Sequence, residues 1–110
     1  MDMPVDVVVR DGQSNADSLR EYARHRLSFA VRRFRHRIVR VAIRLVDLNG
    51  PRRGLDSRCS MTADLIDGRQ IFVSATAVWP FAAISLGASR LGEALRRDAS
   101  RHSSFSSASM

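Results

Sequence analysis

Val5, Val7 and Val9 alternate with Asp6, Val8 and Arg10, a period of two rich in β-branched side chains that predicts a short strand closed by Asp11-Gly12. The polar run Gln13 to Ser18 supplies helix caps. Ser18 and Glu21 have capping-box spacing, and Ser14 or Asn15 serves equally well as a start. From Leu19 the apolar positions Leu19, Tyr22, Ala23, Leu27, Ala30, Val31 and Phe34 recur at helical spacing, filling one side of a helix of about 18 residues and roughly 27 Å. Arg24, Arg32 and Arg35 fall on the opposite side, with Arg26 and Arg33 at its flanks.

Two-residue alternation returns at Val39, Val41, Ile43 and Leu45, ending at Asn49-Gly50-Pro51, and again at Cys59, Met61, Ala63 and Leu65. Asp67-Gly68 is a two-residue hairpin signal leading into a fourth strand, Gln70 to Ala77. Trp79-Pro80 breaks that strand, and Phe81, Ile84, Ala88, Leu91 and Leu95 form the apolar stripe of a second helix ending near Asp98. Gly87 and Gly92 each cost this helix about 1 kcal/mol relative to alanine, so it depends on packing or on close approach. Residues 99–110 include six serines and are expected to form a disordered tail behind a single domain at 4–98.

The order β-α-β-β-β-α restricts the topology. A strand-helix-strand crossover returns parallel, and a tight hairpin is antiparallel. The expected fold is therefore α+β: a four-stranded sheet ordered 1-2-3-4, strands one and two parallel and the rest antiparallel, with both helices on one face. Val5, Val7, Val9, Val41, Ile43, Met61, Leu65, Ile71 and Val73 are its expected core.

Charge adds what the pattern lacks. Eighteen arginines, no lysine and eleven acidic residues give a formal net charge of +7, the signature of a polyanion partner. Eight of those arginines lie between Arg20 and Arg40. A guanidinium matches phosphate oxygens with a planar fork of donors and stacks on bases, which suits RNA. An arginine-favouring codon bias accounts for the missing lysine better than for the clustering. Cys59 is the lone cysteine, so disulfide and zinc frameworks are excluded. No apolar stretch approaches the roughly 20 residues of a membrane span, and the start lacks an export signal, so a cytoplasmic protein is expected. No Ser-His-Asp set, acid-base pair, phosphate loop or metal cluster is present. A catalyst, a cofactor and a small-molecule substrate are not expected.

Three local motifs add a resemblance: Leu19-Arg20-Glu21-Tyr22; Asp47-Leu48-Asn49-Gly50-Pro51-Arg52-Arg53-Gly54 with Asp56 and Cys59; and Phe81-Ala82-Ala83-Ile84. In these, and in element order from Val5 to Arg97, the chain resembles the ribosome hibernation-promoting factor and ribosome-associated inhibitor family in its short form. The resemblance implies a shape like a double-stranded-RNA-binding domain. It also implies binding in the decoding channel of the small ribosomal subunit, where such proteins inhibit translation through basic helices laid on ribosomal RNA. Arg26, Arg32, Arg90 and Arg97 match basic positions of the family pattern. Val78-Trp79-Pro80 and Glu93 depart from it, marking a divergent member.

The candidate RNA contacts are Arg20, Arg24, Arg26, Arg32, Arg33, Arg35, Arg90 and Arg97. Arg40 and Arg44 are assigned to the open sheet face, opposite Ser60 and Asp64, with cross-strand pairing to Asp64 preferred to a phosphate contact. Arg52-Arg53 fits a phosphate contact or a solvated turn. Tyr22 and Phe34 are read as core, Cys59 as core in preference to a reactive thiol, and His25 and His36 as surface residues. Trp79 fits either a cap on the core or a partner surface; in the second case the chain is a protein-interaction module acting off the ribosome.

Overall fold

The alternating strands assemble as their patterns require. In the computed structural model, β1 (Val5–Val9) pairs in parallel with β2 (Ile38–Asp47), which pairs antiparallel with β3 (Ser57–Leu65), which pairs antiparallel with β4 (Gln70–Ala77). Helices α1 (Ala16–Val31) and α2 (Pro80–Ala108) pack on one face of this sheet. The structure describes residues 5–9, 16–47 and 57–108, with Val9, Asp47 and residues 102–108 described by backbone alone. The expected turns at Asp11-Gly12 and Asn49-Gly50-Pro51, the caps Ser14 and Asn15, and the Arg52-Arg53 pair lie outside these residues.

Val41, Ile43, Met61 and Leu65 are buried as expected beneath Leu19, Ala23, Leu27, Ile84, Leu91 and Leu95, while Val5, Val7, Ile71 and Val73 pack partly buried around them. Each fully buried aliphatic side chain contributes about 1.5–3 kcal/mol. Tyr22 stands on the helix–helix seam, where its hydroxyl shares a 2.6 Å hydrogen bond with Ser85 and its ring meets Phe81 edge-on at 5.0 Å.

Five boundaries differ from the sequence reading. First, α1 is already helical at Ala16, so Ser18 and Glu21 sit inside it and do not form its cap. Second, α1 ends at Val31 and the chain tightens into a 3-10 helix over Arg32–Arg37. Three residues per turn sort this segment into rows: Arg32 over Arg35 and Arg33 over His36 are exposed, and Phe34 over Arg37 turns inward. Third, the register slips between Ile38 and Arg40, so Ile38 takes the core position and Val39 is turned out.

The fourth difference is the β3–β4 connection, which has three loop residues, Ile66, Asp67 and Gly68. Leu65 N–H donates to the Arg69 carbonyl at 2.8 Å and Gly68 N–H to the Leu65 carbonyl at 3.0 Å. Cross-strand partners share a sheet face, so Met61 opposite Val73 and Ala63 opposite Ile71 require an odd loop. A two-residue loop would have set Phe72 and Ser74 against the core. The third loop residue takes a positive φ of 93°, which Gly68 accepts without strain.

At its far end α2 runs on to Ala108, through the serine-rich stretch expected to be tail. After Gly92 the chain contains neither glycine nor proline, and serine weakens a helix only modestly.

Two glycines set the packing of α2. A Cβ on Gly87 would stand 3.4 Å from Cys59 Sγ and from Met61 Cε, and one on Gly92 would stand 2.9 Å from the Ala30 carbonyl oxygen of α1. We expect Gly92→Ala to lower the urea midpoint despite its gain of about 1 kcal/mol in helix propensity, because backbone must move to admit the methyl. A raised midpoint would show that the helices do not depend on this close crossing.

Cys59 is fully buried under Gly87, and burial pushes its thiol from an ordinary 9.0 up to about 12. Between those values the unfolded chain has lost the proton that the folded chain keeps, so stability falls as pH rises, by up to about 1.4 kcal/mol per pH unit. Denaturant titrations should show this decline in the native chain relative to Cys59→Ala. A pH-independent difference between the two would refute it.

Candidate RNA-binding surface

Between Glu21 and Asp47 there is no acidic residue, and Arg24, Arg32, Arg33 and Arg35 of that interval reach solvent from two kinds of helix. On α1, Leu19, Ala23, Leu27 and Val31 face the sheet, which turns Arg24, His25, Ser28 and Phe29 outward. On the 3-10 segment the outward rows are Arg32 with Arg35 and Arg33 with His36. Arg32, Arg33 and Arg35 therefore reach solvent as expected, by a threefold repeat and not by continuing the α1 wheel.

The eight candidates are not equivalent. Arg24 and Arg33 are exposed and make no ion pair among the described residues. Arg32 stacks its guanidinium over Phe29, 5.6 Å from the ring centroid. Arg20 is tied to Asp17 at 3.1 Å, which neutralises much of its charge locally. Arg26 is half-buried with its Nε buried and unpartnered, so its stem packs more than its head projects.

On α2, Arg90 donates from Nη1 to the Ser74 carbonyl of β4 at 2.7 Å. Arg97 lies in the same open groove, about 670 Å³ in volume, with Phe72, Val73, Ser74 and Ser89 among its walls. Glu93, the acidic departure, is engaged chiefly by Arg96, with Nη2 at 2.5 Å, while Arg97 Nε stays 3.9 Å away. The Arg96 hydrogen bond, followed by its charge, holds the Glu93 carboxyl below the usual range. Thus Glu93 offsets Arg96 and leaves Arg97 largely available.

Other expectations resolve similarly. Both arginines lie on the open sheet face, Arg40 opposite Asp64 and Arg44 opposite Ser60. The Arg40 side chain bonds Asp6 of β1, however, and Asp64 accepts from Gln70 Nε2 at 2.7 Å. His25 and His36 are exposed. Trp79 is 61% exposed and does not cap the core, although its carbonyl accepts the Ala83 N–H at 2.9 Å at the start of α2. Phe29, 63% exposed between arginines, escaped the sequence reading because it fell outside the apolar stripe; an aromatic off-stripe in an acid-free segment is the signal that marks it. Among the described residues no group of three or more potential ligands could hold a metal ion, and no helix is long and apolar enough to cross a membrane.

A mixed four-stranded sheet backed on one side by two helices, with exposed guanidiniums on that layer, defines a basic α+β domain. No protein-family model matches the sequence, and no curated protein matches it significantly. Solved structures share the fold. The N-terminal domain of Protein Y from Thermus thermophilus aligns with a TM-score of 0.68 at 20% identity, over 88% of this chain and 98% of that one. A ribosomal subunit interface protein from Coxiella burnetii aligns with a TM-score of 0.69 at 17% identity, over 89% and 99%. At these identities the likeness is one of fold.

If the exposed, unpaired arginines meet phosphate, each contact releases counterion. Arg24→Ala and Arg33→Ala should each weaken binding to a structured RNA and reduce the slope of log affinity against log salt by about one, with the thermal midpoint unchanged. Slopes equal to the native value in both variants would remove these residues from the interface.

Proposed function

We propose that this chain is a ribosome-associated factor that lays its helix layer on ribosomal RNA of the small subunit, in the decoding channel, and so inhibits translation. The observation carrying this reading is the acid-free interval between Glu21 and Asp47, displayed outward on a fold shared with two proteins, one of them named as a ribosomal subunit interface protein. Phosphate contacts need no catalysis: affinity comes from counterion release, and occupancy alone excludes other ligands of the channel. Residues 4–98 form the binding domain in this reading, the site of action is the cytoplasm, and the setting is a slowed or stressed cell.

A second reading draws on Trp79 and Val78, 61% and 53% exposed at the entry to α2. Such a pair fits a protein partner off the ribosome.

Co-sedimentation of the full chain with purified small ribosomal subunits separates the two. The first reading requires association at low salt that declines steeply as salt rises, is weakened by combined Arg33→Ala and Arg97→Ala, and survives Arg40→Ala. Absence from the ribosomal fraction at low salt would sink it, and a ribonuclease-insensitive pull-down lost on Trp79→Ala would establish the second.

A further inference from the structure

The sheet face turned away from the helices is uncovered among the described residues, and its register places its side chains on a grid. One row across the strands reads Asp6, Ala42, Thr62, Phe72, and the next reads Val8, Arg44, Ser60, Ser74. Arg58 of β3, opposite Val46, stands diagonal to Arg44 in the row beyond. The small side chains Ala42, Ser60 and Thr62 leave a depression of about 420 Å³ whose rim includes Phe72 and Arg44. Phe72 is 65% exposed, and Arg44 and Arg58 are exposed without an ion pair among the described residues.

We propose that this depression is a binding site for an unpaired nucleotide of single-stranded RNA, its base stacked on Phe72 and its phosphate held by Arg44 and Arg58. The charged groups of the face favour this occupant. Asp6 is already paired with Arg40, and Asp64 lies with Gln70 toward the β3–β4 turn. Positive charge is left uncompensated at the opposite end, at Arg44 and Arg58.

Dimensions agree. Arg44 and Phe72 are two strands apart, on the order of 10 Å, a span that a nucleotide bridges with base at one end and phosphate at the other. The hydroxyls of Ser60 and Thr62 lie between them, where they can meet base or ribose edges. An aromatic ring on an open four-stranded sheet is an effective stacking platform because every base has a π-face. Phe72 also walls the Arg90 and Arg97 groove on the other side of β4, so a strand can pass over the sheet edge from one basic surface to the other. The inference goes beyond the ribosomal reading, and either can fail while the other stands.

The test is binding of a short fluorescent single-stranded oligouridylate to the full chain, followed by fluorescence anisotropy. Phe72→Ala is expected to weaken binding about tenfold, with Phe72→Trp retaining it. Arg44→Ala with Arg58→Ala is expected to flatten the salt dependence. A 4-thiouridine version of the same probe should crosslink to the β4 peptide containing Phe72. All three residues are exposed, and an unchanged thermal midpoint in each variant establishes that folding is intact. The proposal is overturned if the oligouridylate fails to bind, if Phe72→Ala leaves its affinity unchanged, or if crosslinks fall only on helix peptides. Self-association or capture of a protein through this face that oligouridylate does not displace would also overturn it.

Discussion

The carboxylate of Asp98 is the point on which three distant parts of the chain converge. Arg69, just after the β3–β4 turn, donates Nη1 and Nη2 to its two oxygens at 2.6 and 3.0 Å, and Arg37, closing the 3-10 segment, adds Nη2 at 3.2 Å. Asp98 and Arg37 are only 12% and 18% exposed, and removing one partner of a shielded pair costs on the order of 3 kcal/mol because a charge is left stranded. Exposed pairs such as Arg20 with Asp17 are worth a fraction of that. Asp67 completes a fork around Arg69, whose guanidinium is held firmly protonated by Asp98 first and Asp67 second. The Arg37 carbonyl also accepts the Ile66 N–H at 2.9 Å, so backbone and side chain fasten the same corner.

This corner determines which arginines can meet a partner. Of the arginines that follow α1, Arg37 is consumed by structure, and its inward row is shared with Phe34. Arg32, Arg33 and Arg35 are thereby turned outward. The anchoring of Asp98 likewise holds α2 in place three residues beyond its last buried leucine, Leu95, and keeps Arg97 beside the β4 groove. At the other end, the absence of side chains at Gly87 and Gly92 lets α2 lie close to both β3 and α1. Positioning of the basic surface thus rests on one carboxylate and two missing methyl groups.

Sheet order, strand directions and most of the core were legible because period-two and period-3.6 patterns report burial directly. Val41, Ile43, Met61 and Leu65 needed only their alternation. The misplaced details all depend on what a residue meets across the fold. Val39 shares the alternation of Val41, Ile43 and Leu45, but a one-residue slip beside Asp64 turns it out and puts Ile38 in the core. The Asp67-Gly68 pair suggested a two-residue turn, and only the parity of Met61 against Val73 demands three. Arg40 stands across from Asp64, and its side chain nonetheless bonds Asp6 on the parallel strand, a choice that cross-strand alternation does not report. Among the site residues, sequence alone could not separate the unpaired Arg24 and Arg33 from Arg20, which a local carboxylate occupies, or from Arg26, whose Nε is buried. Period three in Arg32–Arg37 was visible in principle, but a six-residue segment is too short to outweigh the longer helical pattern before it.

Arg90 has a second consequence. β4 is the last strand of the sheet, and its outer backbone groups are a template for any extended chain that comes alongside. The guanidinium resting on the Ser74 carbonyl occupies one of these positions and places a fixed charge beside the rest. The residue that helps to line the basic groove therefore also guards the sheet against unwanted strand addition. One side chain thus belongs both to the wall of the groove and to the protection of the sheet edge, and any acceptor that drew it off the Ser74 carbonyl would uncover that position.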